Sequence, residues 1–278
     1  GGLGVYVYAT VILPYADYTT TSIDDIPANL LAQSVAILDN ADEQYMPAES
    51  IGLVMNPKTS EIYAMSSRPT YDIKNYKDFN QEIYNRNLAI WKSFEPGSTF
   101  KYVTFAAGIE EGVFSVEEKF YDKGFSVVDG VRIKDWKAGG HGVETFYEVI
   151  QNSCNPGFIE IGMRLGKEKL FEYVKSFGYG SKTGVDLLGE STGILFNVDK
   201  IGNVETATTS FGQGISATPI QIVNGVSACI NGGVLHQPYI LKGLGIASTV
   251  IYRDEKTKIR RVISEETSEV MKDALERV

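Results

Sequence analysis

The sequence is poor in the residues that bind metals or cross-link chains. Two cysteines, Cys154 and Cys229, and two histidines, His141 and His236, occur in 278 residues. Two thiols are too few for a disulfide framework. They could close one bridge, but Cys229 lies in an apolar helical stretch and reads as core, so cysteine usage assigns no redox compartment. No apolar run reaches 18 residues, so nothing in the sequence reads as a membrane span. The longest run, residues 3–13, is broken by Thr10 and stopped by Pro14. It reads as a strand or hairpin, with a severed membrane anchor as the alternative. Lys/Arg clusters are also missing, and the net charge is −9. That balance argues against nucleic acid or an anionic membrane surface as partner. Signal and targeting motifs are not visible, and the opening Gly-Gly in place of Met reads as a fragment. What is present is ordinary for a packed protein: 43% hydrophobic and 22% charged residues, enough for a sizeable core.

The chain carries no internal repeat. Apolar spacing at Leu30, Leu31, Val35 and Leu38 predicts an amphipathic helix over residues 26–45. Strand patterns at 51–55 and 61–66, joined by Asn56-Pro57-Lys58-Thr59-Ser60, predict a β-hairpin. Residues 69–83 read as a surface loop. A helix is expected from Ser98 to Gly112, another from near Thr145 towards Ser153, and others over 167–176 and 219–230. Residues 120–142 are Gly-rich and polar and read as irregular. Hairpins mixed with runs of helix predict an α+β fold.

Ser98-Thr99-Phe100-Lys101 is an S-x-x-K. Residues three apart share a helix face, so the Lys101 amine can reach the Ser98 hydroxyl. The first turn of a helix favours negative charge on the serine oxygen. A desolvated lysine of lowered pKa can then take the serine proton. Ser153-Cys154-Asn155 supplies a second hydroxyl and a carboxamide in S-x-N spacing. Such a pair can relay a proton and hold a substrate carbonyl.

Several segments in order now resemble class B penicillin-binding proteins. They are Asn56-Pro57-Lys58-Thr59 with Glu61-Ile62-Tyr63-Ala64-Met65, then Arg86-Asn87, Glu95-Pro96-Gly97 with the S-x-x-K, and the S-x-N. Thr183-Gly184-Val185-Asp186-Leu187 with Gly189-Glu190 follows, then Phe211-Gly212-Gln213-Gly214 with Thr218-Pro219 and Gln221. The resemblance implies a penicilloyl-serine transferase (β-lactamase/transpeptidase-like) fold, an antiparallel sheet flanked by helices. It also implies D-Ala-D-Ala transpeptidation of peptidoglycan stem peptides, with β-lactams acylating the same serine. Ser98 would be the nucleophile and Lys101 the base. Ser153 would be the proton relay to the leaving D-Ala, and Asn155 would position the stem-peptide amide and Lys101. Rival readings are a serine β-lactamase or D,D-carboxypeptidase, and a β-lactam sensor domain.

The family's K-T-G motif belongs on a strand. Lys182-Thr183-Gly184 spells it but follows Gly178-Tyr179-Gly180-Ser181 with no strand-length apolar run, so it is rejected as the carboxylate clamp. The resemblance places the true motif beyond Val278. Residues 1–25 are then expected to be the remnant of a preceding region or linker, and 26–278 a transpeptidase domain incomplete at its C-terminal end. Residue chemistry also nominates a metal site. Asp122, Asp135, His141 and Cys154 carry Zn²⁺ donor types, although their spacings of 13, 6 and 13 residues match no zinc-finger pattern. By resemblance to zinc-binding elongation- or sporulation-type members they form a structural zinc site, with Asp129 as the spare for Asp122. The resemblance further implies a glycosyltransferase partner in the membrane. It also implies a location on the extracytoplasmic face, held by an N-terminal anchor absent from this chain. Elongation, division and sporulation stay open as the process served.

Overall fold

The computed structural model of the chain describes residues 8–10, 30–241, 243–246, 249–252 and 258–278. Most of the expected strand at 3–13, the first residues of the helix expected at 26, and most of the 1–25 segment lie outside the described residues. Strand β1 (Tyr8–Thr10) is followed by helix α1 (Leu30–Tyr45), β2 (Ser50–Met55) and β3 (Ile62–Arg68). β2 pairs antiparallel with β3, as the hairpin pattern predicts, and parallel with β1. Every residue of β2 is buried, because α1 packs on the hairpin and later helices pack on β2 as well. A strand covered on both faces shows a continuous apolar run rather than alternation.

The stretch expected to be a surface loop holds structure. A 3-10 segment (Ile73–Asp78) and the start of the one-turn helix α2 (Gln81–Tyr84) fall within residues 69–83, and a second one-turn helix, α3 (Leu88–Trp91), follows that stretch. Each begins where an Asx side chain accepts a backbone N–H: Asp72 from Lys74, Asn80 from Glu82, and Asn87 from Ala89. Such caps stabilise single turns without apolar periodicity, so the hydrophobic pattern did not reveal them.

Next come a 3-10 turn (Gly97–Phe100) and α4 (Lys101–Glu110), whose residues from Lys101 to Gly108 are all buried. The region expected to be irregular instead forms two small antiparallel sheets. β4 (Lys119–Asp122) pairs with β7 (Gly142–Thr145), and β5 (Phe125–Val128) pairs with β6 (Val131–Lys134). Helix α5 (Phe146–Gln151) starts at a Thr145/Glu148 capping box, where the sequence places it. Helix α6 spans Asn155–Ser176, broken at Gly166 where φ is +74°. Only its second half was expected. Pro156-Gly157 reads as a turn, yet proline in a first helical turn costs nothing.

Two longer helices were not anticipated either. α7 (Asn203–Ser210) is threonine-rich and buries Thr206 and Thr209. After α8 (Pro219–Ile230), β8 (Val234–His236), β9 (Gly243–Ile246), β10 (Thr249–Tyr252) and β11 (Lys258–Arg261), the described chain ends in α9 (Glu265–Glu276). α9 buries Thr267, Ser268, Met271 and Ala274, a face that is half hydroxyl-bearing. β8 pairs with β11, and β9 with β10, both antiparallel. The main core forms around α4, with Phe100, Phe105, Phe146, Phe158, Phe177 and Tyr179 almost fully buried. Cys154 and Cys229 are both buried and free, so no bridge forms. Among the described residues no helix is long and apolar enough to cross a membrane.

Candidate active site

Ser98 lies in the 3-10 turn that leads into α4. In that geometry residues i and i+3 eclipse, so Ser98 and Lys101 share one side of the turn more strictly than on an α-helix. The two side chains differ in exposure: Ser98 is open to solvent and Lys101 is buried. The turn is held from outside by backbone. Gly97 N–H donates to Gly212 O at 2.9 Å, Gly214 N–H to Glu95 Oε1 at 2.8 Å, and Phe94 exchanges hydrogen bonds with Ala217. Gly212 has φ +84°, and a Cβ there would sit 2.1 Å from Gly97 O. Only glycine fits at that approach. The Phe211-Gly212-Gln213-Gly214 segment is thus a buttress for the turn that carries Ser98.

The Lys101 ammonium donates to Ser153 O at 2.7 Å, Ser153 Oγ at 3.0 Å and Asn155 Oδ1 at 2.7 Å. Burial lowers its pKa from 10.5 to about 8, against the opposing pull of Asp135 and Cys154. The neutral amine has two N–H groups and one lone pair. Ser153 O and Asn155 Oδ1 can only accept, so both N–H groups go to them. The lone pair is left for a hydroxyl. The S-x-N residues therefore fix the orientation in which Lys101 can take a proton.

Ser153 adopts φ +53°, a left-handed conformation rare outside glycine. Fixed contacts surround it. Asn152 O accepts from Trp136 Nε1 at 3.0 Å, and Asn155 N–H donates to Asp135 Oδ1 at 2.9 Å. Cys154 caps α6, its sulfur accepting from Gly157 N–H at 3.4 Å.

Donor atoms of Asp122, Asp135, His141 and Cys154 all lie within 4.8 Å of one another. His141 Nδ1 is 3.1 Å from Asp122 Oδ2 and 3.0 Å from Asp135 Oδ2, and the three side chains are nearly or fully buried. One ring nitrogen carries at most one proton, so it cannot serve two carboxylates. Asp135 Oδ2 accordingly has no well-oriented hydrogen-bond donor. Burial pushes Asp122 up, but Gly124 and His141 backbone N–H groups outweigh it and hold the carboxylate below its usual range. Burial, with the neighbouring Glu144 carboxylate, pushes the Cys154 thiol up, and a cation is what would hold a thiolate there. Tetrahedral zinc would set neighbouring donors about 3.3–3.6 Å apart, close to the spacing seen. The residues fit a divalent, zinc-like ion. Asp129 is not part of the group: it is exposed on the β5–β6 turn and accepts from Asn203 Nδ2 at 3.2 Å.

Lys182-Thr183-Gly184 lies in a loop rather than a strand. Thr183 N–H and Oγ1–H both donate to Glu190 Oε1 at 2.6 Å, and Gly184 N–H donates to Glu190 Oε2 at 3.1 Å. Its chemistry is internal to the loop. Trp136, Asn152 and Glu144 also belong to the site's surroundings. Their partners come from other elements, so no local pattern marks them.

A serine-lysine pair and an S-x-N loop thus sit together on this α+β frame. Residues 51–278 match the penicillin-binding protein transpeptidase domain, and the chain belongs to that family. It is 53% identical over 244 residues to Stage V sporulation protein D of Bacillus subtilis, covering 87% of this chain and 38% of that protein. Identity to penicillin-binding protein PbpB of Mycobacterium tuberculosis is 31%, over 81% of this chain and 33% of the relative. The chain thus spans about a third of the length of these relatives. The crystal structure of penicillin-binding protein 3 of M. tuberculosis with aztreonam superposes with a TM-score of 0.78 at 29% identity, covering 88% of this chain and 55% of that one. A peptidoglycan synthetase of Bifidobacterium adolescentis gives a TM-score of 0.80 at 26% identity, over 88% and 44% of the two chains.

Proposed function

We propose that the chain carries the acyl-transfer machinery of a peptidoglycan D,D-transpeptidase. The observation that carries this reading is the buried Lys101 amine, oriented by Ser153 and Asn155 one turn from the exposed Ser98. Ser98 Oγ attacks the carbonyl of the penultimate D-Ala while Lys101 Nζ takes its proton. The C–N bond to the terminal D-Ala breaks, and Ser153 Oγ passes a proton to the departing amine. Asn155 holds the stem-peptide amide and Lys101 together. The Ser98 N–H, at a helical start with no acceptor in its own turn, supplies one oxyanion donor. An amine from a neighbouring stem then displaces Ser98 and completes the cross-link. β-Lactams acylate the same serine.

Asp122, Asp135, His141 and Cys154 would hold Zn²⁺, the donor set and the orphaned Asp135 oxygen supporting that assignment. A bound ion would supply structural cross-linking of the loop. Asp135 would then tie Asn155, and Cys154 would tie Ser153, to one fixed point. The enzyme is proposed to work on the outer face of the cytoplasmic membrane beside a glycosyltransferase partner. Among elongation, division and sporulation, the 53% identity to Stage V sporulation protein D favours sporulation.

A fluorescent penicillin tests the mechanism. It should label the intact protein in a single burst, and Ser98→Ala should abolish the label. Lys101→Ala should slow labelling by roughly 10²–10⁴-fold. Labelling that survives in Ser98→Ala overturns the reading, and steady hydrolysis of nitrocefin would favour a β-lactamase.

A further inference from the structure

Glu144 is the one buried carboxylate at this site that neither the acid–base chemistry nor the ligand group uses. It sits on β7 opposite Phe120 and is 3% exposed, while its strand neighbour Val143 and the latter's partner Tyr121 face solvent. A four-residue strand with a carboxylate pointing inward must have something to hold. Glu144 Oε2 accepts from Asn152 Nδ2 at 3.0 Å. The other oxygen, Oε1, is buried without a well-oriented donor, and the carboxylate lies beside the Cys154 thiol.

Asn152 immediately precedes Ser153, whose backbone is in the strained left-handed region. Strain of this kind persists only where the surroundings over-determine it. On the C-terminal side of Ser153 the restraints are Cys154 and the Asp135–Asn155 bond. On the N-terminal side the end of α5 accepts the Asn152 and Ser153 N–H groups at Glu148 O and Ile150 O, 2.8 and 3.1 Å away, and two side chains add to that hold: Trp136 on the Asn152 carbonyl and Glu144 on the Asn152 carboxamide. The Trp136 indole is 67% exposed, so its bond competes with water. Glu144 is buried, so its hydrogen bond to Asn152 is made away from competing water and is the stronger restraint.

We propose that Glu144 is a positioning residue for the S-x-N loop, acting through Asn152 on the Ser153 backbone and so on the Lys101 amine that Ser153 receives. The proposal rests on the acyl-transfer reading above. It assigns Glu144 no contact with substrate, and it predicts a change in the rate of acylation rather than in the binding that precedes it.

Stopped-flow acylation of the intact protein by a β-lactam, over a range of concentrations, separates the limiting acylation rate from the preceding dissociation constant. Glu144→Ala should lower the limiting rate by about 10- to 100-fold, the loss expected when a reacting group is misplaced by about 1 Å, with the dissociation constant within threefold of the parent. Glu144→Gln keeps an acceptor oxygen for Asn152 and should acylate within threefold of the parent. Asn152→Ala removes the same bond from the opposite side and should fall with Glu144→Ala, the double variant losing no more than either alone. Equal losses in Glu144→Gln and Glu144→Ala, a loss confined to the dissociation constant, or a normal rate in Asn152→Ala would each overturn the proposal. The Asn152→Ala result decides even if Glu144→Ala does not fold. A parent protein that is never acylated refutes the acyl-transfer reading instead, so the two failures are distinct.

Discussion

The nucleophile turn and the S-x-N loop face each other across Lys101, but they are built in opposite ways. The turn is carried by apolar packing. It runs into α4, which is buried from Lys101 to Gly108, and it is pinned by backbone bonds to Gly212 and Ala217. The loop is carried by polar side chains reaching in from two small sheets, namely Asp135, Trp136, Glu144 and the group around His141. Those sheets leave Tyr121, Val127, Val131 and Val143 exposed and have little core of their own. Apolar packing sets position through many small contacts and tolerates the loss of one. A polar assembly depends on each member, because a buried group left unpaired costs the full desolvation penalty. The comparison teaches that the loop side of the site should be the fragile one.

Among changes outside the reacting groups, breaking the candidate ligand group should have the largest effect. His141→Ala should reduce bound zinc, lower the melting temperature and slow acylation by roughly 10²-fold, without touching any group proposed to contact substrate. Elemental analysis of protein purified without chelator checks the premise, with about one zinc per chain expected. Chelation of the parent should reproduce the loss of stability. If zinc is bound and His141→Ala acylates normally, the ion does not position the loop.

The second effect belongs to Lys101, the residue the two regions share. Burial lowers its pKa to about 8, and the base acts in its neutral form. Below that pH the neutral fraction rises tenfold per unit, and above it the fraction saturates. The acylation rate should therefore climb with pH through the range below about 8 and then level off, as measured by stopped-flow quenching with a β-lactam. A flat profile from pH 6 to 8 would mean that Lys101 does not titrate as the base.

The smallest effect sharpens the comparison from outside it. Lys182→Ala should leave acylation within about twofold, since Lys182 is exposed in a loop. Thr183→Ala should cost roughly 1.5–3 kcal/mol of stability by removing the Oγ1–H bond to the Glu190 carboxylate while the backbone N–H bond stays, and should change acylation no more than a few-fold. Denaturant titration beside labelling kinetics separates the two. A 10²-fold kinetic loss in folded protein would mean that this K-T-G serves the site after all.

The sequence made the nucleophile side legible because its pattern is local. An S-x-x-K after Glu-Pro-Gly, running into an apolar helix that ends at Gly112, needs only neighbouring residues to be recognised. Helix α8 was readable for the same reason, with Thr218, Pro219 and Gln221 marking its start. The loop side was legible only in part. Its ligand candidates were found by donor chemistry and family resemblance, but Glu144 and Trp136 were not, since a four-residue strand carries too short an alternation to show that one carboxylate points inward. The four strands between Lys119 and Thr145 were hidden by their glycines, which the tight turns demand. Helices α2 and α3 were hidden because Asx caps, rather than apolar stripes, hold them. Packing that follows chain order is readable in sequence; packing built from side chains that meet across elements is not.

The most direct measurement is peptide mapping by mass spectrometry after brief exposure of the intact protein to a β-lactam. The account predicts a single penicilloyl adduct on the peptide containing Ser98, formed once per chain and absent in Ser98→Ala. An adduct on any other residue, or none at β-lactam concentrations that saturate acylation, would contradict it.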